Sequence, residues 1–239
     1  MTDPLRTSVA TTLGVGLVAV VCLALLGRAR LQLGAWYPVK AVASFSIVML
    51  LAIRYRTRRH PFMRFGPANQ ITAARAGLVV LVGSLIGEPG LTRVAATAAA
   101  VSSIATLLDG LDGWLARRTG MVSAFGARFD AETDALLIQV SAILAWRYGK
   151  AGPWILLSGL MRYGFVAGGR LWPWMRQPLV PTFRGRMICI LQTGALILAI
   201  MPAITPPLSA VIAAFGLAAL GYSFLVDVLR LWRHADLDE

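Results

Sequence analysis

What most constrains this chain is an alternation of long apolar runs with short polar connections that carry arginine. Ser8–Gly27 contains no charged residue. Comparable runs recur at about Trp36–Ile53, Ala73–Ile86, Leu91–Leu111, Phe125–Trp146, Pro153–Phe165, Met187–Met201 and Leu208–Leu229. In hydrocarbon a backbone must satisfy its own hydrogen bonds, which leaves the helix as the solution for a run of about 20 apolar residues. Only 14% of the residues are charged and 57% are hydrophobic, whereas soluble domains carry about a quarter charged residues. The sequence therefore predicts an all-α polytopic membrane protein with about eight spans. Several runs are short for a straight crossing, so their helices should extend through polar ends.

The first two runs read as a transmembrane hairpin, the second opened by the interfacial pair Trp36-Tyr37. Arg6 alone precedes the first run and no small-residue cleavage site is clear, which favours a retained helix over a signal peptide. Residues 1–60 are thus expected to form a hairpin with a basic linker, and residues 61–239 a separate domain.

Lys and Arg total 23 against 11 Asp and Glu, a net charge of +12. The arginines alternate with the spans instead of forming one patch, which argues for a cytoplasmic-loop signal and against nucleic acid. The densest run, Arg54 to Arg64, should face the cytoplasm and contact lipid head groups. Arg117, Arg118, Arg128, Arg170, Arg176, Arg184, Arg186, Arg230 and Arg233 fall on the same side. The loops near Gly87 and Pro202 carry almost no positive charge, and Arg28, Arg30, Arg147 and Lys150 are exceptions. Both termini are expected to be cytoplasmic. Cys22 and Cys189 lie in apolar runs with no disulfide or metal spacing, and His60 and His234 sit singly beside arginines.

Against this background Asp109, Asp112, Asp130 and Asp134 stand out, since intramembrane acids are costly and signal function. Asp109, Asp112 and Ala116 are spaced i, i+3, i+7 on one helical face. Asp130 and Asp134 are i, i+4 on the next helix. Both pairs should lie just inside the cytoplasmic boundary, facing each other. Gly113, Ala116 and Gly126 interleave with them and either tighten helix packing or leave room for a ligand. Four carboxylates without Cys or His suit Mg²⁺, Mn²⁺ or Ca²⁺ rather than zinc. A pair of such ions can clamp phosphate oxygens during an in-line displacement. Two readings stay open on residues alone: a membrane-embedded phosphoryl-type transferase and a divalent-cation carrier.

The pattern Asp109-x2-Asp112-Gly113-x2-Ala116-Arg117-x8-Gly126-x3-Asp130-x3-Asp134 resembles the signature of the CDP-alcohol phosphotransferase family at every fixed position. Asn69-Gln70-Ile71-Thr72-Ala-Ala-Arg75 is similar to the short motif ahead of the family's first core helix. Gly185-Arg186 followed by Gln192 is a looser likeness, with Arg in place of the usual Lys and Cys189 where a Thr is common. The resemblance covers about residues 61–233. It implies six core helices, with the hairpin lying outside them, and an integral protein of the bacterial inner membrane with its active site facing the cytoplasm.

It also implies phospholipid biosynthesis in which CMP is displaced from CDP-diacylglycerol by the hydroxyl of a small polar alcohol. By this resemblance Asp109, Asp112 and Asp130 would hold one Mg²⁺ and Asp109, Asp130 and Asp134 a second, with Mn²⁺ an acceptable substitute. Asp134 would be the general base. Asn69, Gln70, Ile71, Thr72, Gly113, Ala116, Arg117 and Ser123 would meet the CDP-alcohol, and a homodimer is implied. Arg162, Arg184 and Arg186 are candidates for the acceptor, since an arginine in an apolar span wants an anion and a phosphorylated alcohol such as glycerol 3-phosphate supplies one. Snorkelling to lipid phosphate is their plainer role, and Arg170–Arg176 reads as interfacial. Alternatives are a head-group transferase from a CDP-linked polar alcohol to a lipid hydroxyl, a divalent-cation carrier, or a non-catalytic membrane scaffold.

Overall fold

Helices account for every regular element in the computed structural model, which describes residues 4–56, 65–172, 174 and 182–235. Most of the basic run after Arg54, with His60, and much of the Arg170–Arg176 segment lie outside the described residues. In order the helices are α1 (Pro4–Leu31), α2 (Tyr37–Arg56), α3 (Pro67–Gly83), α4 (Thr92–Thr119), α5 (Ala124–Arg147), α6 (Leu157–Leu171, preceded by a 3₁₀ turn at Pro153–Leu156), α7 (Phe183–Ile200) and α8 (Leu208–Ala235). These match the eight apolar runs one for one. Among the described residues α1, α2, α4, α7 and α8 are long and apolar enough to cross a membrane, and the chain is a polytopic membrane protein.

The chain divides into two compact units, residues 1–140 and 141–239, with the boundary inside α5. In the first unit α3 is the central strut. Gly66 precedes it and Pro67 occupies its first turn, where a missing N–H costs nothing and a fixed φ is preorganised. Asn69 and Thr72 are residue types that commonly cap a helix. Pro67 instead starts it earlier, and both polar residues lie inside it with buried side chains. Helix α4 runs 28 residues, about 42 Å, which exceeds the ~30 Å hydrocarbon thickness. Its last turn, with Arg117 and Arg118, ends at Gly120 in the left-handed conformation (φ 66°), a common helix stop.

Contacts along α3 fix the direction of its neighbours. The Phe65 N–H lies 3.4 Å from Ser8 Oγ, Gln70 Nε2 lies 3.5 Å from Thr12 Oγ1, and Gly77 lies beside Val20, so α1 runs parallel to α3. On another side Asn69 meets Gly126 and Gly83 meets Val140, so α5 also runs parallel to α3. Helix α4 is antiparallel: Thr72 Oγ1 donates to Asp112 at 3.0 Å, and three residues on, Arg75 Nε donates to the earlier Ala105 carbonyl at 3.1 Å. Val79, Ala105 and Leu137, one from each of α3, α4 and α5, form a buried cluster.

In the second unit α7 and α8 pack antiparallel, with Gln192 against Gly216 and Arg184 paired to Asp227 at 2.5 Å. Lys150 Nζ donates to the carbonyls of Met201 (3.1 Å) and Ile204 (2.6 Å), and Ser209 Oγ donates to the Lys150 carbonyl at 2.7 Å. These bonds close the α7–α8 turn.

At the far end of the first unit, the α1–α2 turn is tied to the α3–α4 connection. Glu88 accepts from the Gly34 N–H at 2.8 Å and from Lys40 Nζ at 2.9 Å, and Lys40 also reaches the Ile86 carbonyl. Burial pushes the Glu88 carboxyl up, but the Gly34 N–H and Lys40 outweigh it and hold the group below its ordinary value. A carboxyl depressed on folding contributes stability that is complete above its unfolded pKa and lost as pH falls through the lower folded value. Glu88→Gln should therefore lower the thermal stability of the detergent-solubilised protein at pH 7 by roughly 1–3 kcal/mol. The gap between the two proteins should start to narrow as pH falls through the ordinary Glu range, about 4.3, and close only below the depressed folded value. Equal melting curves for both proteins at pH 7 would count against the strap.

Candidate active site

The four aspartates meet in the first unit, where α3, α4 and α5 converge. Asp109 and Asp112 come from α4, Asp130 and Asp134 from α5, and what joins them is Arg75 of α3. Its Nη1 lies 2.8 Å from Asp112 Oδ2 and 2.5 Å from Asp130 Oδ1. Its Nη2 lies 2.7 Å from Asp109 Oδ1 and 2.5 Å from Asp134 Oδ1. With Nε on the Ala105 carbonyl, five oxygens surround a group that has five N–H donors. The Arg75 side chain is only 1% exposed.

Asp112 is the innermost acid, 5% exposed, and also takes the Thr72 hydroxyl at 3.0 Å. The side chains of Asp109, Asp130 and Asp134 are 29%, 36% and 30% exposed, so the cluster is closed below and open above. One carboxylate oxygen each from Asp109, Asp112 and Asp130 lies within 4.8 Å of the others. Hard dications bind oxygen at about 2.0–2.6 Å, so two bonds end to end span about 4–5 Å. The donor set and its spacing therefore fit such an ion. Charge points the same way, because one guanidinium leaves four carboxylates with a formal excess of negative charge in a mostly apolar bundle.

Aromatic packing holds α5 in place for this. Phe65, just before α3, lies 6.0 Å from Phe125, which stacks on Phe129 at 5.8 Å, and all three are buried. Ser123 caps the helix: its hydroxyl accepts from the Gly126 N–H at 3.0 Å.

The other sequence candidates fall in different places. Asn69 is buried, donates to the Phe65 carbonyl at 2.5 Å, and faces Gly126, where a Cβ would come within 2.8 Å of Asn69 Oδ1. Gly126 is thus a packing glycine. Gly113 differs, because a Cβ there would meet only Arg117 Nη1 at 3.4 Å, and one at Gly110 would meet nothing within 4 Å. This open side of α4 carries Arg117, exposed and folded back over Gly113, with Ala116 half-buried beside it. Ile71 is half-buried, and Gln70 turns toward Thr12 of α1.

Arg162, Arg184 and Arg186 belong to the second unit. Arg162 is half-buried on α6 and Arg186 exposed on α7. Arg184 is held by Asp227, and its Nε is buried without a hydrogen-bond partner among the described residues.

In the sequence Arg75 stands only at the end of the Asn69–Arg75 motif, with nothing local to tie it to the aspartates. The available signal was an arginine inside an apolar helix, three residues beyond Thr72 and six beyond Asn69, on one helical side.

The chain belongs to the CDP-alcohol phosphatidyltransferase family, whose model matches residues 65–224. Among individual proteins it resembles the CDP-diacylglycerol–glycerol-3-phosphate 3-phosphatidyltransferase of Bacillus subtilis, with 28% identity over 118 residues, 45% of this chain and 61% of that one. It is also similar to the archaetidylserine synthase of Methanothermobacter thermautotrophicus, with 35% identity over 80 residues, 28% of this chain and 34% of the relative. The matches thus span less than two thirds of either relative's length. The hairpin α1–α2 lies outside the family match.

Removing one partner of a buried ion pair costs about 3–5 kcal/mol, because the remaining charge is stranded. Arg75→Met strands four at once, so it should lower the melting temperature sharply in metal-free buffer, with partial recovery in millimolar Mg²⁺. Arg75→Lys keeps the charge but offers three donors for five oxygens and should fall between the two. A metal-free Arg75→Met protein as stable as wild type would show that the guanidinium does not hold the cluster.

Proposed function

We propose that this protein is an integral-membrane CDP-alcohol phosphatidyltransferase of phospholipid biosynthesis. It would join the phosphatidyl group of CDP-diacylglycerol to the hydroxyl of a small polar alcohol, with release of CMP. The observation that carries this reading is the convergence of three carboxylate oxygens within 4.8 Å, with Asp134 joined to them through Arg75, inside the segment that matches the family. Packing alone gives no reason to gather four acids there.

In this reading Asp109, Asp112 and Asp130 would hold one Mg²⁺ and Asp109, Asp130 and Asp134 a second, with Mn²⁺ as a substitute. Bound there, such ions would supply neutralisation of pyrophosphate charge and acidification of a nearby hydroxyl. Asn69, Gln70, Ile71, Thr72, Gly113, Ala116 and Ser123 shape the nucleotide end of the pocket, largely by positioning backbone and leaving space. Arg117 lies over Gly113 on the open side of α4, and its fork suits two phosphate oxygens.

Asp134 takes the acceptor's proton as its oxygen bonds to the phosphatidyl phosphorus. The bond from that phosphorus to the bridging oxygen breaks, and CMP departs with it. Arg162 and Arg186, with Arg184 shared with Asp227, are the arginines we carry over for an acceptor that bears an anion, such as glycerol 3-phosphate. We place the site and both termini on the cytoplasmic side of a bacterial inner membrane and read the working unit as a homodimer.

Purified protein given CDP-diacylglycerol, Mg²⁺ and a panel of alcohols should release CMP with at least one of them. EDTA should stop the release, and Mg²⁺ or Mn²⁺ should restore it. Asp134→Asn should cut turnover by about 10²–10⁴-fold while keeping donor binding. No CMP from any acceptor, together with no binding of CDP-diacylglycerol, would falsify the reading.

A further inference from the structure

The hairpin outside the family match is not simply an extra anchor. Between α1 and α3, floored by Phe45 of α2, lies a cavity of about 430 Å³. Its lining contains no charged side chain. Thr11, Thr12 and Gln70 stand at one end, and the rest is apolar down to Leu23 and Leu81. From Gln70 to Leu81 is about 16 Å of helix, close to the ~15 Å of hydrocarbon in one leaflet. The cavity is therefore a trough with a polar lip, about as long as one leaflet is thick.

The sequence builds it with small residues over a bulky floor. A Cβ at Gly16 would come within 2.8 Å of the Phe45 ring, and one at Gly77 within 3.3 Å of Val20 Cγ2, so the helices close underneath. Ala19 and Ala74 are exposed at the rim, and Phe45 is 2% exposed at the bottom.

The lip is where the trough meets the site. Gln70 adjoins Asn69 and lies two residues before Thr72, whose hydroxyl is on Asp112. One turn of α3 thus presents the acid cluster on one side and the trough's mouth on another. A ligand with its phosphates at the acids and its glycerol at this turn would drop a chain into the trough. The Thr11 and Thr12 hydroxyls donate to the carbonyls of Thr7 and Ser8. Gln70 uses its amide nitrogen toward Thr12, which leaves a second amide N–H able to donate to an ester carbonyl.

We propose that this trough binds one acyl chain of the CDP-linked lipid donor. The assignment rests on the donor named under the proposed function. It excludes the nucleotide and the acceptor from the trough, because an uncharged apolar wall offers neither a partner.

The test uses the full-length protein in nanodiscs, with Ala19→Trp and Ala74→Trp to fill the trough from its rim. Val18→Trp, at an exposed position outside the lining, is the control. Binding of long-chain CDP-diacylglycerol and of CDP-dihexanoylglycerol is titrated for each, alongside KM for both donors. The filled variants should bind the long-chain donor roughly tenfold more weakly, comparable to losing about two buried methylenes. Binding of the short-chain donor and behaviour of the control should not change. Equal weakening for both donors, an equal effect of Val18→Trp, or no effect at all would each overturn the proposal. A chain-length-selective loss of binding in a protein that releases no CMP would sustain the trough and sink the proposed reaction instead.

Discussion

A guanidinium has five N–H donors, and around Arg75 five oxygens from two helices, α4 and α5, meet them: the Ala105 carbonyl and one oxygen from each of four aspartates. The rest of the first unit follows from that arrangement. Burying a carboxylate without compensation costs several kcal/mol, so α4 and α5 can bring their acids together only where α3 supplies the opposing charge. The position of Arg75 therefore sets the depth at which the two helices cross α3. Asp112 is sealed at the bottom by Thr72, and the three acids above it stay open to solvent.

The helix order and the aspartate pairing were legible from the sequence because they rest on local rules. Apolar runs separated by arginines specify spans, and spacings of three and four residues specify faces. Asp130 and Asp134 do share a face of α5 and point to the same guanidinium as Asp109 and Asp112. The start of α3 was less legible, because Asn69 and Thr72 are good capping residues and Pro67 reads as a break. The tertiary contacts of both residues with Phe65, Gly126 and Asp112 decide for the helix interior.

What the sequence could not supply were contacts between distant helices. Gly113 and Gly126 look alike in the motif, yet one borders open space and the other lies against Asn69. Ser123 carries a capping role besides its expected place near the CDP-alcohol, since its hydroxyl closes the first turn of α5. Arg184 looked like a candidate for an anion, and Asp227, 43 residues later, already pairs with it. For Gly126 and Arg184 the deciding partner is a side chain far off in the sequence that no local spacing reveals, whereas the Ser123 cap lies only three residues from Gly126 and follows a local rule.

The parallel course of α1 and α5 on two sides of α3 carries a mechanical consequence. Each residue along α3 is turned about 100° from the last, so one side of a turn faces the hairpin while another faces the acids. A one-residue slip of α3 would carry Arg75 away from its aspartates and Gly77 away from Val20 in the same movement. Neither interface can be retuned alone. Sequence change along α3 is therefore under two simultaneous constraints, and substitutions on the hairpin that shift α3 will register at the acid cluster without touching it.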